Sequence, residues 1–175
     1  MYNGEMLSAS EYKSLASLDG AGFHGGYNHI VYQMVGQPLG VFYLPHSTGL
    51  ESDGNGGYTY GIADLNGGGV SLEDGEDRYV AGQAVPKTIL GSNISFRYKR
   101  FDLSLQINGA FGHKIYNGTS LTYMNMNIFP DYNVMKKAPQ QNIKDQTATD
   151  YWLEKGDYVN FDYVTLGWNV PIEKV

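Results

Sequence analysis

Hydrophobic and polar residues alternate one by one along two neighbouring stretches in the middle of the chain. In residues 101–111, apolar side chains occupy every second position, with polar or small side chains between them. Residues 90–98 show a similar alternation, and Lys99 and Arg100 separate the two stretches. Successive side chains of a strand point to opposite faces, so this pattern predicts a β-hairpin that turns at the two charged residues.

Two environments produce such an alternation, and the pattern alone leaves both open. One is an antiparallel sheet with its apolar face on a protein core and its polar face in water. The other is a membrane barrel with its apolar face in lipid and its polar face in a wet lumen. Strands of about ten residues suit a tilted membrane strand. Aromatic residues near both strand ends resemble the girdles of a barrel, namely Phe96, Tyr98 and Phe101 at the turn and Phe111 and Tyr116 at the other end.

Shorter patterns predict the remaining elements. Residues 27–35 and 41–44 read as strands, and residues 7–18 are compatible with a short helix, although the role of residues 1–30 stays open. Residues 158–170 read as a strand whose alternation slips at Tyr163 and Val164, which predicts a β-bulge there.

Two polar stretches, residues 45–80 and 112–156, separate these strands and are predicted to be long loops. Structureless loops of that length are uncommon in compact soluble domains. Long extracellular loops that alternate with short turns are ordinary in outer-membrane barrels, so the lengths favour the barrel.

Composition narrows the class of protein. The chain of 175 residues has 23 Gly, 15 Tyr and no Cys, which favours an all-β protein and excludes disulfides and thiolate metal sites. A net charge of −6 without a basic stripe argues against nucleic acid as a partner. The first twelve residues lack the basic and apolar regions of a signal peptide, so we expect a fragment of a longer exported protein or a cytosolic chain.

One loop carries a candidate calcium site. Asp64 and Asn66 match the first and third ligand positions of an EF-hand loop, but Gly68 and Gly75 replace the fifth and twelfth ligands. A glycine-rich turn beside a solvated acidic run explains the same residues. The acidic run itself (Asp74, Glu76 and Asp77) lacks the fixed geometry that glycoside hydrolysis needs.

The sequence shows no constellation for catalysis. The four His residues lack zinc-motif spacing, and no Ser lies in a nucleophile elbow. We therefore expect that the protein is not an enzyme. Aromatic residues of the second polar stretch, Tyr132 and Trp152 foremost, are candidates for substrate binding, and packing within the loop is the alternative.

Six short motifs occur in an order that resembles one protein family. They are GQPLGVFY at residues 36–43, DLNGGG at 64–69, GQAVPK at 82–87, FRYKRFDLS at 96–104, GAFGHKIYN at 109–117 and YVNFDYVTLGWNVP at 158–171. Together they resemble the late barrel segment of SusC/RagA-type TonB-dependent outer-membrane transporters.

The resemblance implies a fold and a function. The fold is all-β, with antiparallel strands from a large transmembrane barrel of about 22 strands, of which this chain supplies a fraction. The implied function is uptake of oligosaccharides or peptides across the outer membrane of a Gram-negative bacterium of Bacteroidetes type. The implied partners are a SusD-like lipoprotein, outer-membrane lipid, and TonB acting through a plug domain outside this segment.

A hypothesis from another class is a soluble all-β carbohydrate-binding or interaction module. It requires the apolar faces of the two central strands to pack on each other or on a second sheet. An isolated fragment of a barrel can also adopt a compact soluble β fold, because open strand edges are not viable in lipid.

Overall fold

The structure, a computed structural model, describes residues 12–17, 29–72 and 77–171. Its paired strands are antiparallel and its helices are short, which confirms the all-β class. The strands are β1 Tyr12–Ser17, β2 His29–Met34, β3 Val41–Pro45, β4 Ser47–Ser52, β5 Tyr58–Ile62, β6 Arg78–Gln83, β7 Thr88–Tyr98, β8 Phe101–Phe111, β9 Lys114–Tyr116, β10 Leu153–Lys155 and β11 Tyr158–Trp168. The helices are α1 Gly118–Tyr123 and α2 Ala138–Gln141, with 3₁₀ turns at Met126–Ile128 and Asp150–Trp152.

The chain divides into two compact units. The first, here the core unit, comprises Met1–Val85 and Lys114–Glu154. The second, here the sheet unit, comprises Pro86–His113 and Lys155–Val175.

A four-stranded antiparallel sheet in the order β1-β2-β3-β6 organises the core unit. Its inner strand β3 reads VFYLP, and every residue except Tyr43 is buried. Such a continuous apolar run is typical of a strand covered on both faces. Gly40, just before β3, has a φ of +69°, a conformation that favours glycine and that turns the chain into the strand.

A hydrophobic cluster lies against this sheet. It comprises Ile30, Phe42, Leu44, Tyr60, Ala81, Leu121, Ile143 and Ala148. Helix α1 contributes Leu121, which is fully buried, and the helix starts where the Asn117 side chain accepts a hydrogen bond from Ser120 N at 2.9 Å. Full burial of a leucine side chain stabilises a fold by about 1.5–3 kcal/mol. The second polar stretch therefore supplies core residues to this unit.

The sheet unit consists of three long strands in the order β11-β8-β7. Each strand has 11 residues. Strands β7 and β8 pair without interruption from Thr88 opposite Phe111 to Tyr98 opposite Phe101, which leaves Lys99 and Arg100 as the turn. The predicted hairpin is therefore confirmed, and the strand predicted at residues 158–170 is β11.

Of the other secondary-structure predictions, some agree with the structure and others do not. The strands expected at residues 27–35 and 41–44 are confirmed as β2 and β3. The helix expected at residues 7–18 is wrong where the structure describes it, because residues 12–17 form β1 paired with β2, and tertiary pairing outweighs local helix propensity. Residues 1–11 and 18–28 lie outside the described residues. The stretches expected as long loops contain the β4–β5 hairpin and, in the second, α1, α2 and two 3₁₀ turns.

Candidate functional site

The sheet unit exposes a wide apolar face. Strand register and alternation place on one face Leu90, Ile94, Phe96 and Tyr98 of β7, Phe101, Leu103, Leu105 and Ile107 of β8, and Val159, Phe161, Val164, Leu166 and Trp168 of β11. Within the paired residues, Thr88, Ser92 and Gly109 interrupt this face. Phe96 is 62% exposed and Leu166 is 73% exposed. An apolar surface of this extent marks a site of interaction with a protein or a membrane.

Aromatic rings gather at the turn end of this face. Tyr98 lies opposite Phe101, and Phe101 lies opposite Trp168. The Phe101 and Trp168 rings stack with centroids 6.3 Å apart and planes 13° from parallel. The ammonium of Lys99 lies 5.3 Å from the Tyr98 ring centroid. Aromatic and basic side chains together are typical of a membrane–water interface.

The opposite face of the same sheet carries polar side chains that hydrogen-bond to one another. Asn93 donates to the Tyr163 hydroxyl at 3.2 Å. Asn108 and Asn160 donate to the Asp162 carboxylate at 2.6 and 3.0 Å. This face suits water, so the three strands separate an apolar from a polar environment.

A β-bulge in β11 keeps the two faces distinct. Phe161 lies opposite Ile107 and Tyr163 lies opposite the next residue, Gln106, so Asp162 is the surplus residue. If residues 161–163 instead paired in regular alternation without a bulge, Tyr163 would share the face of Phe161. The bulge that the slip in alternation predicted is therefore confirmed, next to the predicted position.

The core unit holds a polar cluster centred on Asp150. The Asp150 carboxylate accepts hydrogen bonds from Nδ1 of His46 at 2.7 Å, from Ser47 N at 2.7 Å and from the Tyr79 hydroxyl at 2.6 Å. Three parts of the chain therefore meet at one side chain: the β3–β4 connection, strand β6 and the 3₁₀ turn at Asp150–Trp152. The His46 and Tyr79 rings meet edge to face, with centroids 5.6 Å apart.

These contacts set the charge state of the cluster. Burial alone raises the pKa of Asp150, but the hydrogen bonds from Tyr79, Ser47 and His46 outweigh burial and hold that pKa below its usual value. Burial and the neighbouring Asp150 carboxylate raise the pKa of Tyr79 to about 12. Near neutral pH, Asp150 is therefore ionised and Tyr79 keeps its proton.

A small pocket opens beside this cluster. His46, Leu65 and Tyr79 line it, and its volume is about 260 Å³. Half of the His46 side-chain surface is exposed, whereas Asp150 is 14% exposed and lies behind the ring. The pocket therefore presents an imidazole backed by a carboxylate, next to two largely apolar walls.

The candidate calcium residues lie in a loop with many internal hydrogen bonds. Asp64 accepts hydrogen bonds from Gly67 N and Gly69 N at 2.6 and 3.0 Å, and the Asn66 side chain accepts one from Gly68 N at 2.8 Å. Their side-chain oxygens thus serve as turn-forming acceptors, and calcium binding stays a prediction. Among the described residues, no three His, Cys, Asp or Glu side chains form a group suited to a metal ion.

Asp77 holds the same loop in place through hydrogen bonds to its backbone. It is buried and accepts hydrogen bonds from Leu65 N, Asn66 N and Ser71 N at 2.7, 3.3 and 2.7 Å. The N–H groups of Ser71 and Leu65 hold the pKa of Asp77 below its usual value. Asp77 is therefore a structural acceptor, in contrast to the solvated acid that the sequence suggested, while Asp74 and Glu76 lie outside the described residues.

The two candidate substrate-binding aromatics lie in different surroundings. Trp152 packs against the hydrophobic cluster and donates from Nε1 to the Tyr60 hydroxyl at 2.8 Å. Tyr132 is 54% exposed and lies after the 3₁₀ turn at Met126–Ile128. Trp152 therefore has a packing role on this structure, Tyr132 is open to a ligand, and binding by either stays a prediction.

Sequence reasoning missed the Asp150 cluster. His46 and Asp150 are 104 residues apart, and Tyr79 and Asp150 are 71 residues apart. No local motif joins them, so only the fold brings them together. A conserved trio in an alignment is the kind of signal that would reveal such a cluster.

The chain resembles two known receptors in sequence. It is 28% identical over 157 residues to TonB-dependent receptor P3 of Formosa agariphila, covering 78% of this chain and 16% of that protein. It is 27% identical over 126 residues to TonB-dependent receptor P26 of the same organism, covering 64% of this chain and 12% of that protein. No family model matches the chain.

These similarities support a relationship to TonB-dependent receptors. The chain spans less than a fifth of the length of either receptor. In the described part of the chain, no helix is long and apolar enough to cross a membrane.

Proposed function

We propose that this chain is a segment of a SusC/RagA-type TonB-dependent importer in the outer membrane of a Gram-negative bacterium. The sheet unit forms a section of the barrel wall. The turn at Lys99 and Arg100 faces the periplasm, and residues 45–80 and 112–156 lie on the extracellular side near the substrate entrance. The function is gated uptake of oligosaccharides or peptides, with no bond made or broken.

The observation that carries this proposal is the bare apolar face of the sheet unit. Three paired strands of 11 residues have the length of membrane-spanning β-strands. One face is apolar with aromatic rings at the turn end, and the other is polar, as a barrel wall requires between lipid and lumen. The relationship to TonB-dependent receptors supports the same conclusion.

The outer edges of the sheet explain why further strands are needed. Strands β7 and β11 each pair on one side only within this sheet. Unpaired backbone groups are costly in lipid, because no water is present to bond with them. We infer that neighbouring strands of the same receptor close both edges in the membrane. A SusD-like lipoprotein covers the extracellular side, and TonB acts on a plug domain elsewhere in the receptor.

These observations argue against the alternative of a soluble module. It requires the apolar faces of β7 and β8 to be covered by each other or by a second sheet. The two strands instead lie side by side in one sheet, and all 11 residues of β7 are exposed.

Chemical labelling tests the wall directly, because the chain has no Cys of its own. Leu166→Cys places a thiol on the apolar face, and Thr165→Cys places one on the adjacent polar face. In lipid vesicles, we expect a water-soluble maleimide to label Thr165→Cys at least about tenfold faster than Leu166→Cys, since thiolate formation and reagent access both require water. Equal labelling rates for the two variants would contradict the proposed barrel wall.

Transport is tested in cells that carry the intact receptor. Accumulation of the labelled oligosaccharide or peptide should require both the receptor and TonB, and it should stop when either gene is deleted. Uptake that persists without TonB would exclude the TonB-dependent mechanism, even if the labelling result held.

A further inference from the structure

The pocket beside Asp150 belongs to the core unit and has features of a specific binding site. All its lining side chains belong to the core unit, which has its own hydrophobic cluster. Its volume of about 260 Å³ is below the range of about 300–1,000 Å³ typical of sites for drug-sized ligands. The pocket is therefore large enough for one ring or one side chain, and too small for a whole oligomer.

Asp150 determines the tautomer and the orientation of the His46 imidazole that lines this pocket. An ionised carboxylate only accepts hydrogen bonds, so Nδ1 of His46 must carry a proton in the 2.7 Å contact. In the neutral ring, Nε2 is then an unprotonated acceptor. Among the described residues, Nε2 of His46 has no hydrogen-bond partner. The carboxylate thus fixes the tautomer and holds the ring in place.

The other polar group of the lining is already engaged. The Tyr79 hydroxyl donates to Asp150 at 2.6 Å, so Tyr79 offers the pocket chiefly its ring. Leu65 adds an aliphatic wall and is held in place because its backbone N–H donates to buried Asp77 at 2.7 Å. A ligand in this pocket therefore meets apolar walls and a single good acceptor.

The combination of apolar walls with a single acceptor discriminates between the two substrate classes of the proposed importer. A pyranose carries several hydroxyl groups, and each one that is buried without a hydrogen-bond partner weakens binding. A phenol or an indole carries one donor on a flat apolar ring, which matches one acceptor among apolar walls. The match favours an aromatic side chain over a sugar ring.

We propose that the His46–Leu65–Tyr79 pocket binds an aromatic peptide side chain whose hydroxyl or ring N–H donates to Nε2 of His46. This inference rests on the proposed uptake function and deepens it, because it selects peptides as the substrate class. Asp150 acts as the positioning residue for the imidazole.

The test is a titration followed by NMR on the full 175-residue chain in detergent micelles. The probe is N-acetyl-L-tyrosinamide, and methyl β-glucopyranoside is the comparison ligand. The His46 ring resonances are identified by their absence in His46→Gln. We expect saturable shifts of these resonances at millimolar tyrosinamide, and none with the glucoside at the same concentrations.

Two matched variants separate pocket binding from general adhesion. Leu65→Trp fills the pocket, and Leu39→Trp makes the same change at another exposed leucine of the core unit. We expect Leu65→Trp to abolish the tyrosinamide shifts and Leu39→Trp to retain them. His46→Gln and Asp150→Asn serve as further variants, read through resonances of Tyr79, and both should weaken binding about two- to tenfold, since each removes or misorients one hydrogen bond.

Several results would overturn the inference. These are the absence of saturable shifts with tyrosinamide, equal or larger shifts with the glucoside, and equal binding by Leu65→Trp and the parent chain. None of them touches the maleimide labelling of the wall, so a failed pocket and a failed membrane role are distinguishable.

Discussion

The core unit and the sheet unit are built from the same kind of antiparallel strand and place their apolar residues in opposite surroundings. In β3 of the core unit, four of five residues are buried. In β7 of the sheet unit, all 11 residues are exposed, Ile94 and Phe96 included. Alternation along a strand thus fixes which residues share a face, and it leaves open whether protein or lipid covers that face.

The two units also differ in how they satisfy polar groups. In the core unit, Asp77 and Asp150 accept hydrogen bonds from backbone N–H groups that lie far away in the sequence or across a loop. In the sheet unit, Asn93 of β7 donates to the Tyr163 hydroxyl of β11 across the intervening β8, and Asn108 of β8 donates to Asp162 of neighbouring β11. The first arrangement holds irregular backbone in place, and the second lines the polar face of a sheet.

The largest expected effect comes from removing the same side chain in each unit. Leu121→Ala empties a fully buried position in the core unit, and we expect a loss of about 2–5 kcal/mol of unfolding free energy. Leu166→Ala at a 73% exposed position should change it by about 0.5 kcal/mol or less. Urea unfolding monitored by Trp152 fluorescence in a Trp168→Phe background measures the first value, and far-ultraviolet circular dichroism measures the second. Equal losses would contradict the contrast between the units.

A charge on the apolar face sharpens the comparison in lipid. Val164 lies in the middle of β11, opposite Leu105. Val164→Arg should weaken insertion into lipid vesicles by about 2–4 kcal/mol, the cost of Arg near the midplane of a membrane barrel. Tyr163→Arg, on the polar face, is the matched control and should insert almost normally. Partition of each variant between vesicles and urea solution gives its free energy of insertion. Equal insertion of the two variants would show that the two faces are equivalent, which would contradict the proposed wall.

Acid should destabilise the core unit through its carboxylates. The folded-state pKa values of Asp150 and Asp77 lie below their usual value, so each group adds stability that is complete above the unfolded pKa of about 3.9. That stability is lost as pH falls from about 4 through the lowered folded-state values. For Asp150, solvent screening limits the contribution to about 1 kcal/mol. Urea midpoints of the Trp168→Phe chain between pH about 5 and 3 should fall less steeply in Asp150→Asn, and parallel slopes would exclude this role.

The smallest effect should follow from deleting the bulge residue. Removal of Asp162 leaves Phe161, Tyr163 and Val164 on the faces they already occupy, because Asp162 is the surplus residue. Only the exposed contacts with Asn108 and Asn160 are lost, so we expect a change of about 0.5 kcal/mol or less in insertion. Removal of Ser104 from unbulged β8 should be much more harmful, since it moves half of that strand to the wrong face. The same vesicle partition assay compares the two deletions.

The sequence allowed much of the sheet unit to be predicted and little of the core unit. Period-two alternation, the turn at Lys99 and Arg100 and the slip near Tyr163 are local signals, and each corresponds to a feature of the structure. The core unit depends on contacts between distant segments, such as Leu121 with the cluster around Phe42. Those contacts override local preference, which explains why the helix expected at residues 7–18 is a strand at residues 12–17.

The candidate sites follow the same division. The apolar face could be read directly from residues 90–111, because its members recur at every second position. The His46–Asp150–Tyr79 cluster could not be read from the sequence, since its three side chains come from three separate segments of the chain. Sequence alone selected Trp152 for its aromatic ring, whereas the fold uses that ring for packing and for a hydrogen bond to Tyr60.

The most direct test of the central claim uses the two tryptophans of the chain, Trp152 in the core unit and Trp168 on the apolar face of the sheet unit. Trp152→Phe and Trp168→Phe each leave a single tryptophan, whose fluorescence is followed in vesicles made with brominated lipids. We expect strong quenching of Trp168 and little quenching of Trp152, because bromine on an acyl chain quenches only rings that contact it. Equal quenching of both tryptophans, or an unquenched Trp168, would contradict the claim that lipid covers the apolar face.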